Sequence, residues 1–302
     1  MKTETTDLTD SSCPPATLLS AYQRGVAILR AAGVANSDNE AFWLLEAGMG
    51  EARLRVYSDP QHEIGPEDWP RTESLFRRRA LHEPLQYIIG TQAFRCRDFL
   101  VNPHVLIPRP ETELIIEEVL ASRFSADPCH MVDMGTGSGC LAVSLALDCP
   151  GATVLATDCS APALHVAGDN AQRHGVAGRI RFIEGECLEP LSGRALAGTI
   201  SVMVSNPPYI PSDQCDLLPR EVRAFEPLPA LDGGPNGLKF YDRLLAESPS
   251  LLHPGGILVM EMGINQADDV RRKVSRSKAF IVKSIRRDPA GIDRVICLER
   301  TS

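Results

Sequence analysis

The sequence predicts a doubly wound α/β domain with a largely parallel sheet, preceded by a small all-helical domain. Short apolar runs alternate with amphipathic stretches from about residue 130 onward, the pattern of successive βαβ units. A glycine-rich turn, Gly135 to Gly139, separates the first of these runs from an apolar helix, as the first crossover of such a sheet requires. Residues 17–81, by contrast, carry apolar side chains only at helical spacings.

The segment 1–16 is polar and acidic and is expected to form a disordered leader. Residues 17–83 are expected to form the helical domain. Leu18, Leu19, Tyr22, Val26 and Leu29 mark its first helix, Ala41, Leu44 and Leu45 mark a second, and a further helix is expected over 67–81. Gly33 ends the first, and Ser37 or Asp38 is placed to cap the next. Residues 84–110 read as a hairpin-like linker, with extended stretches at 87–90, 93–95 and 99–101 broken by Gly90, Asp98 and Pro103. A helix begins at Glu111, with Pro110 at its first turn and Leu114, Ile115, Val119 and Leu120 on one side. Strands are then expected at 130–133, 153–157, 180–183, 200–204, 256–261, 280–285 and 294–298. Helices over 140–147, 161–174 and 240–252 separate most of them, which makes 111–302 one α/β domain.

Composition narrows the function classes. The 302 residues carry a net charge of −8, with 43% hydrophobic and 23% charged residues, as ordinary globular proteins do. An acidic balance disfavours nucleic acid as the main partner. Arg71, Arg77, Arg78 and Arg79 form a basic cluster that reads first as a solvated helix face. No apolar run approaches the roughly 20 residues of a membrane span, and the start is no signal peptide, so a cytoplasmic location and no membrane partner are expected. Nine cysteines without CxxC spacing and seven dispersed histidines suggest reduced packing residues and no metal site.

Gly135, Thr136, Gly137, Ser138 and Gly139 follow the apolar run ending at Met134. Glycine removes the Cβ that would keep a ligand from the backbone. Cys140 stands where the dinucleotide fingerprint GxGxxG needs its third glycine, so the loop fits an adenosyl cofactor without pyrophosphate better. Asp158, at the end of the second strand, is placed to accept ribose hydroxyls.

The reaction is indicated by Asn206-Pro207-Pro208-Tyr209, directly after the fourth strand. Two prolines cannot continue a central strand, so the chain turns out at the carboxyl edge, where ligands of this fold bind. A planar amide or amino nitrogen is a poor nucleophile because its lone pair is delocalised. Asn206 Oδ1 and the Pro207 carbonyl can each accept one N–H and orient that lone pair, with Pro208 stiffening the turn and Tyr209 available to stack on the planar group. A methyl transfer from S-adenosylmethionine is the chemistry this constellation suits.

With these residues the chain resembles the HemK/PrmC family of protein N5-glutamine methyltransferases. The likeness runs over nearly the whole chain. It rests on Pro84 with 87–90, on 106–113 (Leu-Ile-Pro-Arg-Pro-Glu-Thr-Glu), on 206–210, on Glu226-Pro227, Ala230-Leu231, Gly233-Gly234 and Gly237-Leu238, and on Glu261-Met262-Gly263 with Gln266. The resemblance implies a Rossmann-like class I S-adenosylmethionine-dependent fold with an antiparallel last strand. It implies that 135–139, Asp158 and Asn206 contact the cofactor, and that 206–209 grip the glutamine of the Gly-Gly-Gln motif in class I peptide chain release factors. It further implies that Arg109, Glu111 and Thr112 line the approach and that the helical domain helps hold the protein substrate. A structural alternative for Arg109 is an ion pair with Glu113. Where the family often shows Asp followed by an aromatic near the adenine, this chain has Glu186 and Cys187.

Two other readings compete. A nucleic-acid amino-methyltransferase acting on adenine N6 or guanine N2 would use the same tetrapeptide on a base; the acidic charge and the lack of a recognition domain count against it. A non-catalytic adapter would have no need of both an intact glycine loop and an intact tetrapeptide.

Overall fold

Thr17 starts the first helix with a reciprocal cap: its hydroxyl accepts from the Ser20 N–H at 3.3 Å while the Ser20 hydroxyl accepts from the Thr17 N–H at 3.0 Å. The structure, a computed structural model, describes residues 14–50, 52–126, 128–193 and 195–301. The leader expected over 1–16 therefore lies outside the described residues as far as residue 13. The Ala16 carbonyl already accepts from the Ile64 N–H at 3.2 Å.

The chain divides after Gly90 into two compact units. The first holds α1 (Leu18–Ala31), α2 (Ser37–Met49), α3 (Ala52–Ser58), α4 (Asp68–Ala80) and α5 (Leu85–Ile89). Its core gathers Leu18, Leu29, Leu44, Leu45, Trp69, Phe76, Leu85 and Ile88. Glycines bring these helices close: a Cβ on Gly25 would stand 2.2 Å from Phe76 Cζ, and one on Gly48 2.2 Å from Thr72 Oγ1. The basic run on α4 is occupied internally, Arg77 with Glu73, Arg78 with Glu83 and Arg79 with Glu40. Residues 87–89 are not extended as expected but belong to α5. Pro84 opens this turn, Gly90 closes it with φ +85°, and Leu85 and Ile88, three apart, reach the core together.

The second unit opens with a hairpin, β1 (Thr91–Phe94) and β2 (Arg97–Leu100), turned by Arg95 and Cys96 at positive φ. Phe94 and Phe99 meet edge to face at 6.0 Å in the core. A 3-10 turn, Pro110–Thr112, leads into α6 (Glu113–Leu120). The alternating elements follow: β3 (Cys129–Met134), α7 (Cys140–Asp148), β4 (Ala152–Asp158), α8 (Ala161–Arg173), β5 (Ile180–Glu184), β6 (Ile200–Ser205), α9 (Arg220–Phe225), α10 (Lys239–Glu247), β7 (Leu252–Glu261), α11 (Ala267–Ser277), β8 (Phe280–Arg287) and β9 (Asp293–Arg300).

The seven strands lie in the order β5-β4-β3-β6-β7-β9-β8, and β9 runs opposite to the other six. Inner strands are apolar on both faces. Met131, Val202, Val204, Ile257 and Val259 join the core under α6 and α7, while Val132, Met203, Leu258 and Met260 join that under α10 and α11. The helix expected over 240–252 is shorter: Pro249 has no N–H to continue it, Ser248–Ser250 tightens to 3-10, and β7 starts at Leu252 opposite Ile200. No helix among the described residues is long and apolar enough to cross a membrane.

Candidate active site

Strand register alone brings the elements of the site together. Met134 pairs with Thr157 on one side and Ser205 on the other, Asp158 pairs with Glu184, and Ser205 pairs with Met260. One step further, Gly135, Gly185 and Asn206 therefore leave the sheet at one carboxyl edge, beside Glu261, the last residue of β7. β3 lies between β4 and β6, where the strand order reverses, and a crevice opens there. It is a cavity of about 760 Å³ lined mainly by apolar groups, within the range of small-molecule sites.

On one side stands the glycine loop. Gly135, Gly137 and Gly139 have φ of +72°, +53° and +79°, and a Cβ on Gly135 or Gly137 would meet nothing, so those two expose bare backbone. At Gly139 a Cβ would come within 3.0 Å of Ala167, so this glycine serves helix packing. Asp158 Oδ2 accepts from the Gly137 N–H and Oδ1 from the Ser160 N–H, both at 2.9 Å. Burial raises its carboxyl above the ordinary value, and the backbone donors partly offset this. Beneath the loop Asp133 is fully buried. Its Oδ2 accepts from Thr136 Oγ1 at 2.6 Å and from the Ala142 N–H at 3.1 Å, while Oδ1 has no partner. Burial pushes this carboxyl up to about 7. An open backbone cradle at Gly135 and Gly137 with the acidic strand end Asp158 on the same cavity wall fits a nucleoside cofactor.

On the other side stands Asn206-Pro207-Pro208-Tyr209. Asn206 Nδ2 donates to Thr112 Oγ1 at 3.1 Å, and Thr112 Oγ1 donates to Glu261 Oε2 at 2.6 Å. The Tyr209 hydroxyl donates to Glu261 Oε1 at 3.1 Å. Glu261 is fully buried, and desolvation pushes its carboxyl up to about 7 against the bonds from Thr112 and Tyr209. Gln266 Nε2 donates to the Tyr209 carbonyl at 2.8 Å, and its Oε1 accepts from the Gly263 N–H and the Tyr241 hydroxyl. Three glycines let the backbone close around the turn: a Cβ on Gly233 would stand 2.8 Å from the Pro208 carbonyl, on Gly237 2.3 Å from the Tyr209 carbonyl, and on Gly263 3.0 Å from the Tyr209 ring. Asn206 Oδ1 and the Pro207 carbonyl accept from no group among the described residues.

Of the residues singled out from sequence, Thr112, Gly135, Thr136, Gly137, Ser138, Asp158, Glu186, Cys187, Asn206 and Pro208 line the cavity together. Arg109, Glu111, Gly139, Pro207 and Tyr209 do not. Tyr209 turns its ring toward the core and its hydroxyl toward Glu261, so its place is beneath the turn rather than in a stack above it. Arg109 pairs with Glu226 at 2.5 Å, not with Glu113, whose carboxylate instead accepts from the Arg95 N–H at 2.7 Å. Glu186 is held by Arg243 at 2.7 Å and lies 3.6 Å from Lys239. Cys187 is buried at φ +54°, and desolvation pushes its thiol up to about 12, so it presents a neutral sulfur. Sequence reading gave no role to Asp133, Glu261, Lys239, Phe240 or the rim 227–230. Glu261, Pro227 and Ala230 were visible only as residues of the family likeness.

Fold and site together define a Rossmann-like methyltransferase. Residues 20–90 match the family model of the PrmC N-terminal domain, and residues 112–218 match that of the methyltransferase small domain. The chain is 44% identical over 264 residues to the release factor glutamine methyltransferase of Geobacter sulfurreducens, spanning 87% of this chain and 90% of that one. It is 43% identical over 249 residues to the one from Nitratidesulfovibrio vulgaris, spanning 82% and 83%. The chain belongs to the release factor glutamine methyltransferase family. Its fold is shared with a methyltransferase from Pyrococcus furiosus, at a TM-score of 0.53 and 19% identity over 75% of this chain and 99% of that one.

Proposed function

We propose that this enzyme methylates the side-chain amide nitrogen of the glutamine in the Gly-Gly-Gln motif of class I peptide chain release factors, using S-adenosylmethionine. The carrying observation is that two acceptors that receive no hydrogen bond among the described residues, Asn206 Oδ1 and the Pro207 carbonyl, occur in one rigid turn whose Asn206 and Pro208 line the crevice together with the glycine loop. The backbone of 135–139 and the Asp158 carboxylate would hold the cofactor, with Glu186, Cys187 and the Asn206 backbone around them. Bound there, S-adenosylmethionine supplies an electrophilic methyl on a sulfonium.

The residues of the chain then have a defined task. Asn206 Oδ1 and the Pro207 carbonyl each accept one amide N–H, which withdraws the nitrogen lone pair from resonance and aims it. Apolar walls exclude water from the crevice and strengthen those bonds. The proton leaves the alkylated nitrogen for solvent afterwards, so no strong base is required. Arg109, Glu111 and Thr112 border the approach, and the helical domain would add grip on the release factor. Such a role places the enzyme in the cytoplasm.

The test offers the purified enzyme labelled S-adenosylmethionine with a release factor, its Gly-Gly-Gln Gln→Ala variant, tRNA, rRNA and DNA. Label on the parent factor alone is the expected result. Equal label on the Gln→Ala variant, or label on nucleic acid only, would overturn the reading.

A further inference from the structure

We propose that Glu261 is a positioning residue which, through Thr112, decides which atom of the Asn206 side chain faces the substrate. This rests on the function proposed above and adds to it the group that sets the acceptor's polarity.

Thr112 has one hydroxyl hydrogen. It goes to Glu261 Oε2 at 2.6 Å, so the hydroxyl meets Asn206 with a lone pair only. A lone pair can receive the amide nitrogen of Asn206 but not its oxygen, and Nδ2 does donate there at 3.1 Å. Oδ1 is thereby left as the atom Asn206 offers to the cavity it lines. Glu261 can play this part because both its oxygens accept, the second from the Tyr209 hydroxyl at 3.1 Å. A proton on Oε2 would reverse the chain: Glu261 would donate to Thr112, Thr112 would donate to Asn206, and the amide would turn. Asn206 would then present N–H groups to a substrate that itself presents N–H groups. The relay is buried, with Thr112 and Glu261 2% and 1% exposed, so water cannot replace its members.

Glu261 is also poised to switch. Its carboxyl is pushed up to about 7 by burial, with Arg294 on β9 lowering it and Glu111 beside Thr112 raising it. Tyr209 faces it from the turn after β6 and stays a neutral donor, its hydroxyl raised further still. Cys140 at the start of α7 feels its charge, and that thiol is itself pushed up to about 12. Turnover should therefore rise with pH through the neutral range as Glu261 ionises.

Two measurements test this on the full-length enzyme. In the first, the side-chain amide signal of Asn206, identified by its loss in Asn206→Asp, is followed by nitrogen-15 NMR from pH 5.5 to 8.5. It should titrate near neutrality in the wild type and stay flat in Glu261→Gln, which cannot ionise. In the second, Thr112→Val should lower kcat for release factor methylation by at least about tenfold, the scale of one lost positioned contact, with cofactor Kd within about twofold. Thr112→Ser should restore most of that loss. A flat Asn206 signal in the wild type, an unchanged titration in Glu261→Gln, wild-type kcat in Thr112→Val, or equal impairment of the Ser and Val variants would each overturn the inference. The NMR arm needs neither substrate nor turnover. A wild type that shows the titration but labels no release factor would remove the proposed function and leave the positioning role standing.

Discussion

The turn after β3 and the turn after β6 leave adjacent strands at the same edge, yet they are held in different ways. The glycine loop is local: three positive-φ glycines within five residues, one carboxylate below it at Asp133, and one across from it at Asp158. The Asn-Pro-Pro-Tyr turn is held from a distance. Thr112 lies 94 positions before Asn206, while Glu261 and Gln266 follow Tyr209 by 52 and 57. Gly233 and Gly237 supply the room for its carbonyls. A backbone cradle can be made by the chain that forms it. An acceptor pair that must be rigid and correctly polarised needs walls from elsewhere in the fold.

The largest effect should come from the acceptor itself. Asn206→Ala is expected to slow methylation about 10²- to 10³-fold, as one positioned polar contact is worth roughly 2.7–4 kcal/mol in a barrier, with much less change in cofactor affinity. Single-turnover rates and equilibrium binding of S-adenosylmethionine measure the two; equal losses in both would merge the roles that the comparison separates.

Next, the two sets of glycines should respond unequally. Gly135→Ala meets open space and should cost only the left-handed backbone penalty, about 1–2 kcal/mol. Gly237→Ala carries that penalty and also drives a Cβ to 2.3 Å from the Tyr209 carbonyl, adding roughly 1–3 kcal/mol of overpacking. Urea unfolding of both variants decides it, and indistinguishable midpoints would mean the tetrapeptide is not tightly walled.

Arg109→Ala should be milder. Among the described residues it leaves Glu226, almost wholly buried, with the Ile107 N–H at 3.3 Å as its remaining partner, a loss on the order of 2 kcal/mol after allowance for the partly exposed arginine. Chemical denaturation would show it, and an unchanged midpoint would detach the 105–109 segment from the acceptor side.

The remaining effect is a pH slope. Asp133 below the glycine loop and Glu261 below the acceptor turn both have carboxyls raised to about 7 in the folded chain, from ordinary values of 3.8 and 4.5. A raised folded value means the native state binds the proton more tightly. Each contribution is full below the ordinary value and is lost as pH rises through about 7, by at most about 1.4 kcal/mol per pH unit. Unfolding free energies from pH 5 to 8 should flatten by one such slope in Asp133→Asn and by one in Glu261→Gln. Slopes identical to wild type would deny both carboxylates their buried, proton-binding state.

What the sequence determined by itself is whatever depends on neighbours along the chain. The strands at 130–133, 153–157, 180–183 and 200–204 are apolar runs closed by turn residues, and the glycine loop declares itself because a positive φ is a property of single residues. Double proline after β6 likewise announces a turn without any knowledge of what surrounds it. The tertiary structure decided the rest. Tyr87 to Ile89 became a helix because the core of the helical unit could take Leu85 and Ile88 together, a preference that overrides the extended character of the run. Arg109 pairs with Glu226 rather than Glu113 because the buried Glu226 carboxylate has no other cation among the described residues, a fact about burial that spacing does not encode. Tyr209 turned inward to Glu261, and Glu261 acquired its task only because the register of β6 and β7 sets residue 261 beside residue 206. Dihedral preference and apolar periodicity act over a few residues, whereas hydrogen-bond polarity in a buried relay is settled among side chains that only the finished sheet brings within 3 Å or so of one another.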